Sequence, residues 1–230
     1  MFVGSRAILN RLPEDIKIKV GSSEISPLNS VKDLGVILDP NLSFDKHVDN
    51  ICTKANGLLF FLSRHKMLFD NQTRKTVIEA LVTSLFSYCS VIWGGCNKTI
   101  KSKVQKTQNF AAKVAVGYGR KRDHATPFLN ILEWLNIKKQ LTYQDLLFIF
   151  KVVNGYIPDS VLSISIVGDT HDRLTRQSNN LHIPRRNTKI ADNALSIRGS
   201  LEWNKLPETL KNEQRMSTFK REVKKYLCTR

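Results

Sequence analysis

The chain has 230 residues with 36 Lys and Arg against 20 Asp and Glu, a net charge of +16, and 41% hydrophobic residues. A chain of this length buries roughly 70–75% of its extended surface on folding, enough for one or two cores without metal or disulfide staples, which excludes a disordered tail. No run of about 18 apolar residues is present, and MFVGSRAILNRLPED lacks the apolar centre of a signal peptide, so neither secretion nor a membrane span is expected.

In chain order, Ile16, Ile18 and Val20 alternate with Lys17 and Lys19, Gly21-Ser22-Ser23 can turn, and Val31 to Leu38 is a mostly apolar run interrupted by Gly35. This predicts a small hairpin or sheet edge. Ser43 is placed to cap a helix with Asp45 in its first turn, and Phe44, Val48, Ile51, Ala55, Leu58, Leu59 and Leu62 recur at helical spacing. A second helix is predicted from Asp70-Asn71 to Trp93, apolar on more than one face and therefore the central, most buried one. A third, from about Thr99 to Val116, ends at Gly117 and Gly119, with Tyr118 between them. The mutually buried set expected is Phe44, Leu58, Leu62, Leu81, Leu85, Phe86, Ile92 and Phe110, in a three-helix bundle.

Beyond the bundle, Pro127 to Leu135 and Lys138 to Asn154 read as two more helices, ended by Gly155 and Pro158. Gly168 to Lys189 is polar, basic and without period, which predicts a long loop or an extended segment. Ser217 is placed to cap a last helix, with Phe219, Val223, Tyr226 and Leu227 on one face. The fold class expected is mainly α. Short N-terminal strands or a hairpin occupy 1–40, the three-helix bundle 41–122, a helical connector 123–165, and a loop-rich basic region with a terminal helix 166–230.

The residues that could carry chemistry are sparse. Cys52, Cys89, Cys96 and Cys228 show no C-x-x-C and no neighbouring His at ligand spacing, so no metal site, no disulfide framework and no cofactor are expected, and a reducing intracellular compartment, nuclear or cytoplasmic, is. Asp33, Asp39, Asp45 and Asp49 cluster near the start, but two-metal chemistry needs carboxylates converging on ions about 3.5–4 Å apart. Asp45 and Asp49 read instead as solvated helix acids beside Lys46 and His47, and Asp33 and Asp39 as structural. No catalytic residue is assigned.

Charge is more informative, because it is clustered. Lys98, Lys101, Lys103, Lys106, Lys113, Arg120, Lys121 and Arg122 fall within 25 residues that hold no acid. On a helical wheel Lys98, Lys101, Lys106 and Lys113 are expected opposite Val104, Ala111 and Val114, so the helix would pack by one side and present cations on the other. A solvated lysine face would interleave Glu for i,i+4 pairing, and Glu is missing. The pattern suits a nucleic-acid backbone. A second basic stretch holds Arg173, Arg176, Arg185 and Arg186 with His182 and Lys189 and one adjoining acid, Asp172; the last helix carries Lys220, Arg221, Lys224 and Lys225, which read as a solvated face.

The order of these signals resembles one family. Val31 to Asp39 (VKDLGVILD), then Leu42-Ser43-Phe44 and His47-Val48, is similar to the K-x-L-G-V-x-L-D, L-S-F, H-V signature that follows the polymerase palm in LINE-type, jockey-like non-LTR retrotransposon reverse transcriptases. The likeness continues through Ser87-Tyr88, Trp93-Gly94, Gln105-Lys106, Asn109, Ala111-Ala112, Trp134-Leu135, Lys151, Asn154-Gly155, Pro158, Arg173, Thr175-Arg176, Pro184-Arg185, Trp203-Asn204, Leu206-Pro207 and Phe219-Lys220. The resemblance implies that Met1 falls just after the palm, with the fingers, the Tyr-x-Asp-Asp strand and the endonuclease outside this sequence. It implies a thumb and C-terminal region that grips RNA or an RNA–DNA hybrid, inert as a polymerase alone, whose partners include the missing palm and fingers. The alternative is a host-adopted or accessory module that docks on protein through its apolar helix faces, without nucleic-acid function.

Overall fold

The structure is a computed structural model that describes residues 1–13, 16–117, 123–158, 160–170, 179–186 and 188–229. After a single turn, α1 (Arg6–Leu9), come two antiparallel pairs: β1 (Ile18–Val20) with β2 (Ser23–Ile25), and β3 (Val31–Asp33) with β4 (Val36–Leu38). The run Val31 to Leu38 is thus a hairpin, Val31 opposite Leu38 and Asp33 opposite Val36. Its two turn residues, Leu34 and Gly35, have φ of 42° and 88°. Two positive φ values match the right-handed twist of the strands, which is why glycine interrupts the run. The hairpin is anchored: the Tyr88 hydroxyl donates to the Leu34 carbonyl at 2.6 Å, and Val36 is buried.

Helix α2 (Asp45–Arg64) follows, and Ser43 is not its cap. The residue at that position is Phe44, in the left-handed region at φ 61°, and the organiser is Asp39. Its carboxylate accepts from the backbone N–H of Asn41, Ser43 and Phe44 at 3.1, 3.1 and 2.8 Å and from the Ser43 hydroxyl at 3.1 Å. One buried acid therefore satisfies the amides of a turn in which Leu42 and Phe44 are both left-handed. Asp39 is thus a structural acid, as the sequence predicts.

The second predicted helix is broken. It runs as α3 (Asn71–Ile78), a π turn (Glu79–Thr83), α4 (Ser84–Ser87) and, after an interruption, α5 (Ser90–Trp93). Of its buried residues, Arg74, Ile78, Val82, Phe86 and Ser90 are spaced by four, and Trp93 follows after three. Four α-helical residues advance about 400°, so such a stripe drifts by about 40° each turn. The π turn, with more residues per turn, reduces that drift. At Cys89, φ 48°, the chain turns aside, and the Trp93 indole N–H donates to the freed Tyr88 carbonyl at 3.0 Å. As a result Leu81 and Ile92, expected in the core, are 52% and 51% exposed, while Leu58, Leu85 and Phe110 are partly buried and Phe44, Leu62 and Phe86 are buried.

The most buried helices are instead α6 (Lys98–Val116) and, after α7 (Thr126–Ile131), α8 (Ile137–Val153). The side chain of Asn97 caps α6 by accepting from Ile100 N–H at 2.9 Å, and Gly117, φ 76°, ends it. Helix α6 packs against α2, α3 and α7; with Val48, Leu59, Ile78, Val82, Trp93 and Val104 they form one core. Helix α8 is apolar on nearly every side because it serves two cores: Ile137 and Leu141 belong to the first, Leu146, Ile149 and Phe150 to the second. That second core is completed by α11 (Leu195–Asn204), α12 (Glu208–Lys211) and α13 (Met216–Thr229), with Trp203, Phe219 and Val223. Helix α13 begins at Met216, so Ser217 lies inside its first turn and is not its cap.

Between α8 and α11 lie two single turns, α9 (Val167–Thr170) and α10 (Lys189–Asp192). Part of the stretch expected to loop or extend is extended: Leu181 is buried, bridges Ile166, and its backbone is held by the Asn204 side chain at 2.8 and 3.0 Å. The remainder, 171–178, lies outside the described residues, as do Tyr118 and Gly119. The molecule is mainly α-helical with two short N-terminal strand pairs, as expected. No helix among the described residues is long and apolar enough to cross a membrane.

Candidate nucleic-acid interface

Eight residues of α6 are buried: Ile100, Val104, Thr107, Gln108, Ala111, Ala112, Val114 and Ala115. At 100° per residue they cover nearly half of the helix, and the five lysines divide according to how far they stand from that sector. Lys98 and Lys106 are exposed and Lys113 half-buried on the side away from the core. Along the axis they are separated by about 12 and 10 Å.

The other two stand at the margins of the buried sector. Lys103 reaches across to α2 and donates to Asp45 at 2.6 Å and Asp49 at 2.8 Å. Those two carboxylates hold its ammonium well above the ordinary lysine range, so Asp45 and Asp49 are tied to α6 rather than merely solvated. Lys101 is half-buried on the opposite margin, close to Cys96 and to the paired Arg198 and Asp145. Burial lowers its pKa; the Arg198 charge acts in the same direction, while Cys96 and Asp145 oppose it. Lys101 therefore does not stand opposite Val104 as the wheel suggested, but beside the buried face.

Next to Lys106 and Lys113 an open recess of about 420 Å³ is walled by Phe60 and Phe110, whose ring centroids are 5.2 Å apart. Phe60 is exposed, so cations and an aromatic surface share this side of the α2–α6 pair. Such a combination can hold phosphates and sugar or base faces together. Of the remaining predicted contacts, Arg120, Lys121, Arg122, Arg173 and Arg176 lie outside the described residues. Arg185 is exposed, and Arg186 forms an ion pair with Asp192.

Among the described residues no group of three or more His, Cys, Asp or Glu is placed to hold a metal ion. Cys52 and Cys96 are buried free thiols whose pKa burial raises. His47, unassigned in the sequence, is buried under the hairpin: its Nδ1 accepts from Ile37 N–H at 3.4 Å and its ring lies 6.1 Å from that of Trp93. The H-V pair of the resemblance thus positions β4 against α2. No sequence signal separated His47 from a surface histidine, because what buries it is a hairpin ten residues away and a tryptophan 46 residues away.

No family model and no solved structure matches the chain. Over 95 residues, 39% of this chain, it is 34% identical to the probable RNA-directed DNA polymerase from transposon X-element of Drosophila melanogaster. The chain spans about a tenth of the length of that relative. It therefore contains a region related in sequence to a transposon RNA-directed DNA polymerase.

Proposed function

We propose that the chain is the non-catalytic C-terminal portion of a retrotransposon RNA-directed DNA polymerase, in which residues 41–122 act as a thumb-like bundle that holds RNA or an RNA–DNA hybrid by its backbone. The observation that carries this reading is the outer face of α6, a helix that contains no acid, where Lys106 and Lys113 stand beside exposed Phe60 and exposed Lys98 lies toward the N-terminal end. Arg120, Lys121 and Arg122 continue the same charge in sequence, and Arg173, Arg176, Arg185 and Arg186 supply a second basic segment. The 1–40 segment is the palm edge in this reading, and 123–165 with 166–230 connect and follow the thumb.

The experiment is binding of a labelled RNA–DNA hybrid across a salt series. Each neutralised duplex phosphate contributes a log–log slope of about −0.9, so replacing Lys98, Lys106 and Lys113 by Ala should flatten the slope by about 2.7 and weaken binding at low salt. An unaltered slope would remove α6 from the interface.

One observation favours the alternative of a protein-docking module. Leu34 and Tyr88, joined by their hydrogen bond, are exposed together, with Leu81 exposed two turns earlier. Absence of hybrid binding at any salt would favour that reading.

A further inference from the structure

Helix α13 does not close flat against the α7–α8 corner. Between them lies an open cleft of about 1150 Å³, somewhat larger than the roughly 300–1,000 Å³ of small-molecule sites. Lys139 of α8 and Arg221, Lys224 and Lys225 of α13 line it, against Glu133 as the acid on its wall. Arg221 and Lys225 are partly neutralised by Glu222 at 2.9 and 3.2 Å, whereas Lys139 and Lys224 form no ion pair among the described residues. Cations that face each other across open space repel unless an anion lies between them. The placement of Lys138 and Lys139 adds to this: they occupy the first turn of α8, which holds no acid, at the positive end of the helix dipole.

The wall of the cleft is not simply cationic. Gln105 of α6 donates to Gln108 Oε1 at 2.9 Å and to Asn109 Oδ1 at 2.7 Å, and accepts from Ile137 N–H at 2.8 Å. This fixes the Asn109 amide by its oxygen and leaves its N–H donors without a partner among the described residues. Trp134 stands on the same wall, half-buried, its indole N–H held by Glu79 Oε1 at 2.7 Å. The preceding Glu133 is left-handed, φ 56°, a conformation uncommon for a glutamate. A fixed aromatic ring and free amide donors are what unstacked bases use, and backbone cations are what their phosphates use. Asn109 also borders the recess of Lys106 and Lys113, so the two cavities share one residue of α6.

We propose that this cleft seats a single-stranded nucleic acid, with its phosphates on Lys139, Arg221, Lys224 and Lys225 and its bases against Trp134 and the Asn109 amide. The site goes beyond the α6 face, to which none of those four cations belongs, and it gives a role to a terminal helix whose charges read in the sequence as solvation.

The test uses the full chain, with fluorescein-labelled 12-nucleotide single strands of RNA and of DNA and a 12-base-pair hybrid, in anisotropy titrations across salt. Lys139→Gln with Lys224→Gln should lower single-strand affinity about tenfold and flatten its log–log slope by about 1.4, at about 0.7 per single-strand phosphate, while hybrid affinity stays within about twofold. Cys228, exposed and lining the cleft, supplies a local readout, with Cys228→Ser to identify its signal. Saturating RNA or DNA strand should slow its alkylation by a maleimide in the wild type and in Lys98→Ala with Lys106→Ala, and whichever strand protects better identifies the ligand. Equal loss on hybrid and single strand, no loss on either, or no protection of Cys228 would overturn the proposal. So would equal protection by a poly-glutamate peptide, which would make the cleft an acidic-peptide site.

Discussion

Asp145 on α8 and Arg198 on α11 face each other as a two-pronged ion pair, Nε to Oδ2 at 2.8 Å and Nη2 to Oδ1 at 2.9 Å, with side chains only 7% and 15% exposed. The same guanidinium donates to the carbonyls of Val91 and Asn193, so one side chain joins α5, α8, the end of α10 and α11. It sits where the first core meets the second. Removing one partner of a buried pair leaves the other charged and unpaired.

Arg198→Ala should therefore lower the unfolding free energy by about 3–5 kcal/mol, measured in urea, whereas Arg198→Met combined with Asp145→Leu should recover a large part of that loss. If the single variant cost less than about 1 kcal/mol, Arg198 would not be what joins the two cores.

Asp39 makes a second test of buried polar structure. Asp39→Ala takes away the acceptor of three backbone amides and one hydroxyl and strands the buried Phe44 N–H. A loss of about 1.5–3 kcal/mol is expected, with a smaller loss for Asp39→Asn, which keeps one acceptor oxygen. A surface-like effect below about 0.5 kcal/mol would show that Asp39 does not organise the turn.

His47 predicts a pH dependence. Burial lowers its pKa from 6.5 in the folded state, with the Lys54 charge acting in the same direction, and the Nε2 atom has no partner among the described residues. The folded protein keeps the ring neutral while the unfolded chain binds a proton below about 6.5, so the unfolded state holds more protons there. Stability from this group is complete above that pH and falls as the solution is acidified toward the lowered value. Melting temperatures from pH 7.5 to 5.0 should decline more steeply in the wild type than in His47→Gln, and parallel declines would exclude the effect.

Two glycines should respond with opposite signs. Gly57 lies inside α2 with open space where a Cβ would stand, so Gly57→Ala should stabilise by roughly 0.5–1 kcal/mol through helix propensity. At Gly95 a Cβ would come within 2.4 Å of the Asn193 carbonyl oxygen, backbone that cannot step aside cheaply. Gly95→Ala should destabilise by about 1–3 kcal/mol. Thermal melts of the two variants should shift in opposite directions.

Local order is legible in this sequence wherever a residue's own neighbours decide it. The periodicity of α2, α6 and α13, the Gly117 stop and the acid-free cationic run of α6 all follow from spacing within one helix, because helix stops and amphipathic faces act over three or four residues. The candidate site was legible only as a composition. Which lysines face solvent depended on partners elsewhere: Asp45 and Asp49 bind Lys103 from 58 and 54 residues away, and Arg198 reaches Val91 over 107. The four-spaced stripe of α3 to α5, the sharing of α8 between two cores and the cleft beside α13 have the same origin. Amphipathicity states that a face must be covered, and only the packing of distant segments determines by what.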